Sequence, residues 1–315
     1  MTLHQSDRPP ATLLEALTRI RVRAEEHMDR QDRDGLGWTE ETVTEIAIGA
    51  GTPLVKPIPF NRPQESAVGA DWLWWWLDRS SQECFGMLVQ AKRIKGGPSR
   101  WKLDVSHGNG AQQRNLIATA DQFNVPAIYG VYMGGLVLRR DLKCSHGRVL
   151  PCLSCARMAV TLMPAYSLPA TRDQGALFDL TLAEGVPLED LGDPDRPTGV
   201  IRDVNFRQLR PGVLREFLVD PQSGPREVAK HIFKSVSTRR DGQKSAALAE
   251  PVELVGQQIF QELPRDRGHF PGPYFPHVLR GLRKNPPSYV HDLIAGFPPP
   301  SDISGAVAGV VLVLI

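Results

Sequence analysis

Phe85-Gly86-Met87-Leu88-Val89-Gln90-Ala91-Lys92 is an apolar run that turns polar at its end. Read as a strand, its period of two puts Met87, Val89 and Ala91 on one face and Gln90 and Lys92 on the other. The first face belongs to a core. The second ends in two adjacent polar side chains, and a lysine at the end of a buried strand is costly without a partner or a task. The strand predicted here spans Phe85 to Ile94. A Trp-rich strand precedes it, Gly69 to Leu77, with Asp71 near its start. If the two pair as a hairpin, Asp71 lies beside Gln90 and Lys92.

The pattern outside this pair is helical on both sides. Leu13, Leu14, Leu17, Ile20 and Val22 give an amphipathic helix from about Thr12 to Arg30. The break Asp32-Arg33-Asp34-Gly35-Leu36-Gly37 follows, and Thr39 then reads as the N-cap of a second helix starting at Glu40 and ended by Gly49 and Gly51. Pro53 to Pro63 reads as a loop because of its prolines. Downstream, Asn109 to Phe123 reads as a helix and Val125 to Met133 as a strand. Helix, strand, strand, helix, strand implies an α/β layer with a mixed central sheet. Beyond Ala165 the pattern loosens, and its clearest element is a helical pattern from Val252 to Leu263.

Glu41 or Glu45, both on the second helix, can approach Asp71, Gln90 and Lys92. The chemistry that wants such a set is phosphodiester hydrolysis. A hard cation, Mg²⁺ or Mn²⁺, takes carboxylate and carbonyl oxygens, here Asp71, the Gln90 amide and a helix glutamate. Lys92 then stabilises charge on the phosphoryl group. An ordinary Asp–Lys pair at a strand edge is the plainer alternative.

Glu41, Gly69-Ala70-Asp71-Trp72 and Gln90-Ala91-Lys92-Arg93 together resemble the PD-(D/E)XK nuclease superfamily, in the branch where Gln replaces the usual acidic residue of E-x-K. Within it they look like a bacterial family associated with defence or mobile elements. The resemblance spans about residues 38 to 135. It implies a restriction-endonuclease-like αβββαβ core, with Glu41 rather than Glu45 as the helix carboxylate and a glutamine of the following helix, Gln113 or Gln112, beside the site. It also implies anti-phage defence as the setting, with a partner protein of such a system possible. The expected organisation is an N-terminal helical extension (1–37), a nuclease-like core (38–165) and a mixed, partly helical accessory region (166–315).

Charge is consistent with a local rather than a global nucleic-acid surface. Lys plus Arg is 37 against 35 for Asp plus Glu, a net +2 over 315 residues. From Gln90 to Arg114, however, Lys92, Arg93, Lys95, Arg100, Lys102 and Arg114 face only Asp104. Arg93, Lys95, Arg100, Lys102 and Gln113 are therefore the expected contacts to a phosphate backbone, DNA first and RNA as an open alternative. Trp72, Trp74, Trp75 and Trp76 suit core packing more often than base stacking. Cys144, His146, Cys152 and Cys155 form C-x-H-x5-C-x2-C, a possible structural Zn²⁺ site in an insertion at 144–155. Reduced thiols are the alternative. MTLHQSDRPP has no apolar leader, and Gly305 to Ile315 is too short for the roughly 20 residues a bilayer requires and reads as a buried strand. A cytoplasmic protein without a membrane partner is expected. The favoured function is a divalent-metal-dependent DNA nuclease. A non-catalytic nucleic-acid-binding module is the alternative.

Overall fold

Three adjacent tryptophans set the sheet's two faces. In the computed structural model, which describes residues 8–60, 72–96, 101–105, 110–139, 152–168, 173–201, 212–238, 252–254, 256–270 and 272–315, Trp74 and Trp76 join one hydrophobic core and Trp75 the other. Every residue of their strand is buried, as expected where both faces of a strand are covered.

Along the chain, α1 (Leu13–Arg33) and α2 (Glu40–Gly49) lead into β1 (Val55–Pro59), β2 (Trp72–Leu77), β3 (Cys84–Lys95) and β4 (Lys102–Leu103). Then come α3 (Ala111–Gln122), β5 (Ala127–Tyr132), α4 (Leu136–Arg139), α5 (Leu153–Arg157) and β6 (Val160–Pro164). After these lie α6 (Gln174–Glu184), β7 (Val186–Pro187), α7 (Gly212–Val219) and α8 (Gly224–Thr238). The chain ends through β8 (Val252–Glu253), β9 (Glu262–Leu263), α9 (Tyr274–Leu279), β10 (Leu282–Arg283), α10 (Ser288–Ile294), α11 (Ser301–Ser304) and β11 (Gly309–Leu314).

The helix starts follow from their caps. Thr12 accepts from the Glu15 amide at 3.2 Å and Thr39 from the Thr42 amide at 3.3 Å, each satisfying a donor that the first turn leaves open. Ala16, Ile20, Ala24 and Met28 recur every four residues and bury the inner stripe of α1.

The main sheet runs β1-β11-β2-β3-β5-β6-β7. β2 and β3 are antiparallel, with Trp72 opposite Val89 and Trp75 opposite Gly86. A Cβ on Gly86 would come within 2.6 Å of the Trp75 ring. β5 is parallel to β3, and β11 is parallel to β2. The sheet is mixed, as the alternation of elements predicted.

Two expectations are corrected. Pro53–Pro63 is not all loop: Val55–Pro59 is an edge strand on β11, and an edge tolerates Pro57 and Pro59 because one row of amides there has no ladder partner. Val252–Leu263 is a hairpin of β8 on β9, not a helix; Gly256, at φ +104°, breaks any helical run between them. Residues on both sides of positions 37 and 165 share the sheet and a core. β11 lies inside the sheet, β10 pairs with β3, and one continuous core joins Leu17 of α1, Trp76, Phe233 of α8 and Val313. The C-terminal run is the buried strand expected of it, set inside the sheet between β1 and β2.

Candidate functional site

Gln90 sits on β3 between Leu88 and Lys92, on the side of the sheet that carries the second core. It is 2 % exposed, and its Oε1 has no hydrogen-bond partner. An uncompensated carbonyl oxygen in such surroundings is unfavourable. An oxygen donor of this kind suits a hard divalent cation. Asp71 lies outside the described residues. In the chain it directly precedes Trp72, whose strand partner Val89 is the neighbour of Gln90.

Lys92 is half-buried, and its Nζ donates to Oε1 of Gln112 at 2.5 Å. α3 brings that glutamine in on its first turn, behind Gly110 at φ +78°. Gln113 points elsewhere. It is buried, and its Nε2 donates to the carbonyls of Ala165 (2.9 Å) and Leu168 (2.6 Å). Of the two glutamines, Gln112 stands at the lysine and Gln113 ties α3 to the turn after β6. Consecutive helix positions differ by about 100° of rotation, so both cannot face the same way.

The helix glutamates divide similarly. Glu41 and Glu45 are exposed on α2. The sheet-facing side carries Thr44, whose hydroxyl meets the Tyr132 hydroxyl at 2.7 Å, and Glu40, which lies 3.8 Å from the Arg93 guanidinium. Glu40 thus approaches β3, a position that sequence spacing did not single out.

Arg93 differs from its expected use on phosphate. It projects to the α2 side, donates to the Trp38 carbonyl, and stands 5.4 Å from the centre of the Trp38 ring. It clamps the α1–α2 connection to β3. Lys95 and Lys102 behave otherwise. They lie directly opposite each other across the β3–β4 pair, with Lys95 exposed. Like charges at opposed strand positions repel, and an anion between them relieves the repulsion. Arg100 lies outside the described residues.

Cys152 caps α5 and Cys155 lies within it, so the C-x2-C pair falls on one short helix. Cys144 and His146 lie outside the described residues, and no metal-ligating cluster occurs among the described ones. Cys84 is buried, and burial pushes its thiol up to about 12, which keeps it protonated. No helix among the described residues is long and apolar enough to cross a membrane.

One cluster had only a faint sequence signal. Glu25 of α1 receives Arg21 from one turn away and Arg139 from α4. Glu189 receives Arg21 and Arg157, and Arg157 also holds Asp193 at 2.6 Å. Only the i,i+4 pair Arg21–Glu25 is legible in the chain. The others join segments that are distant in sequence. Arg139 and Arg157 flank residues 140–151, so both sides of the cysteine-bearing stretch are fastened to α1 and to the turn Leu188–Gly192.

Fold and site together define an α/β protein whose mixed sheet carries a buried Gln90, a Lys92–Gln112 pair and an opposed Lys95–Lys102 pair at one end of β3. The chain belongs to DUF6615, a family of unknown function, whose profile matches residues 13–298. No curated protein matches it. No solved structure matches it.

Proposed function

We propose that this protein is a divalent-metal-dependent nuclease that hydrolyses phosphodiester bonds in DNA. The observation that carries the reading is the buried, unpartnered Oε1 of Gln90, two residues before a lysine held by Gln112. Gln90 would hold Mg²⁺ or Mn²⁺ together with Asp71; α2 packs on the opposite face of the sheet, so its glutamates are left out of the set. When bound, such a cation supplies charge stabilisation at the phosphoryl group and a more acidic water. Lys92 contributes a positive charge where the transferred phosphoryl gains negative charge. Gln112 orients the ammonium through its amide oxygen. Lys95 and Lys102 grip the neighbouring backbone phosphates.

A restriction-endonuclease-like core is supported by the antiparallel β2–β3 pair, the α3 crossover and the parallel return of β5. The departure is β11, which occupies the place beside β2 that β1 would take in a plain αβββαβ order. A role in anti-phage defence, and a structural Zn²⁺ on Cys144, His146, Cys152 and Cys155, belong to the same proposal. A non-catalytic nucleic-acid-binding module is the second reading, favoured by the Gln in place of an acidic residue.

Plasmid cleavage with Mg²⁺ or Mn²⁺ tests the proposal. Wild type cleaves, while Asp71→Ala and Lys92→Ala lose cleavage by a factor of about 10² or more. Cleavage indifferent to both changes sinks the site. Salt-dependent binding without cleavage selects the module. Metal analysis of wild type against Cys152→Ser tests the zinc.

A further inference from the structure

Gln90 is not alone in carrying an unsatisfied polar end in this part of the sheet. Tyr129, its strand partner on β5, is fully buried in the second core, and its hydroxyl has no hydrogen-bond partner. Registered residues of neighbouring parallel strands stand side by side on the same face, with their strands about 4.8 Å apart. Two buried polar groups, one a carbonyl oxygen and the other a hydroxyl, therefore rise next to each other from one surface. A phenylalanine would fill the same core volume without leaving a hydroxyl unpaired, so packing alone gives no reason for tyrosine here.

Two polar partners are the minimum that fixes a buried water. A divalent cation such as Mg²⁺ keeps several waters when it binds protein oxygens. We infer that Tyr129 is a positioning residue of the cation site, its hydroxyl holding a water that also contacts the Gln90 amide and so orienting that amide toward the cation. The inference rests on the cation reading of Gln90 given above. Tyr129 does not touch the reacting phosphate and acts only through Gln90. Burial raises the phenol above its ordinary range, so the group stays a neutral hydroxyl, able both to donate and to accept. Residues that hold a metal ligand in place weaken binding by 10- to 100-fold when they are removed.

Tyr129→Phe removes only the hydroxyl. Mn²⁺ titrated into the full-length protein, with free Mn²⁺ followed by electron paramagnetic resonance, reads the effect without any turnover. Wild type is expected to bind Mn²⁺ and Tyr129→Phe to bind it at least about 10-fold more weakly. The metal-free melting temperature of the variant is expected to stay close to that of wild type, because phenylalanine fills the same core volume. A purely structural tyrosine would instead leave Mn²⁺ affinity unchanged, and that result overturns the inference. Gln90→Ala separates the two levels. If Gln90→Ala abolishes binding while Tyr129→Phe binds like wild type, only the role of Tyr129 falls. If wild type binds no Mn²⁺, the cation reading of Gln90 falls and takes this inference with it.

Discussion

Lys92 on β3 and Gln112 on α3 meet ammonium to amide oxygen at 2.5 Å, across twenty residues of chain. The contact closes the β3–α3 crossover at the end of the strand where the polar groups gather. It also separates two adjacent glutamines by role.

That separation is measurable. Gln113→Ala leaves two buried carbonyls without their side-chain donor, and the expected loss of stability is about 2–3 kcal/mol in urea denaturation. Gln112→Ala is expected to stay within about 0.5 kcal/mol of wild type, as peripheral substitutions do, while DNA cleavage drops. Equal destabilisation by the two substitutions contradicts the assignment.

The opposed lysines make a second prediction. Lys95→Glu turns the pair with Lys102 into an attractive one, which stabilises the hairpin by about 0.2–1 kcal/mol. The same change weakens DNA binding and lowers the slope of log K against log salt by roughly one to two. Arg93→Ala is expected to do the reverse, lowering stability through lost contacts to Trp38 and Glu40 with little change in salt slope. Binding isotherms at several salt concentrations decide it. A large slope change from Arg93→Ala alone would place Arg93 on the nucleic acid.

His277 makes stability depend on pH. Desolvation first, and the nearby Arg280 second, hold it well below its ordinary value of 6.5. Its ring stacks on Tyr166 at 3.7 Å, and its Nε2 accepts from the Ala127 amide at 3.4 Å. The folded protein thus keeps this imidazole neutral where the unfolded chain protonates it. The unfolded state binds the extra proton below about pH 6.5, so the stability from this group is present above that pH and is lost as pH falls, at up to about 1.4 kcal/mol per unit. Denaturation midpoints at pH 7, 6 and 5 should show a shallower decline in His277→Gln than in wild type. Parallel declines would refute the attribution.

Removing residues 309–315 tests the place of the last strand. β11 pairs with β1 on one side and β2 on the other, and buries Val310, Val311, Leu312 and Val313. The truncated chain is expected to lose its cooperative thermal transition in calorimetry. A sharp transition near the wild-type temperature would show that the segment is dispensable after all.

Much of the fold was legible where the signal sits in neighbouring residues. Thr12 and Thr39 announce their helices because a hydroxyl and the amide it caps are three residues apart. The alternation in β3 separates Val89 from Gln90 because the strand period is a local property. The run at Val310–Val313 reads as a buried strand for the same reason. What failed was partner and orientation. β1 is a strand because β11 lies alongside it, and nothing between Pro53 and Pro63 states that. Val252 and Leu263 pair across Gly256 although their spacing imitates a helix.

The polar end of β3 shows the same limit within the site. Residue order places Gln90 and Lys92 on one face and puts glutamines and glutamates within reach. Packing then selected Gln112 over Gln113 and turned Glu40, rather than Glu41, toward the sheet. It also drew Arg93 to Trp38 and set Tyr129 beside Gln90. Each selection turns on a helix rotation of about 100° or on the register of two strands distant in the chain. Such quantities are fixed by the burial of all the surrounding apolar surface together, and no short stretch of residues contains them.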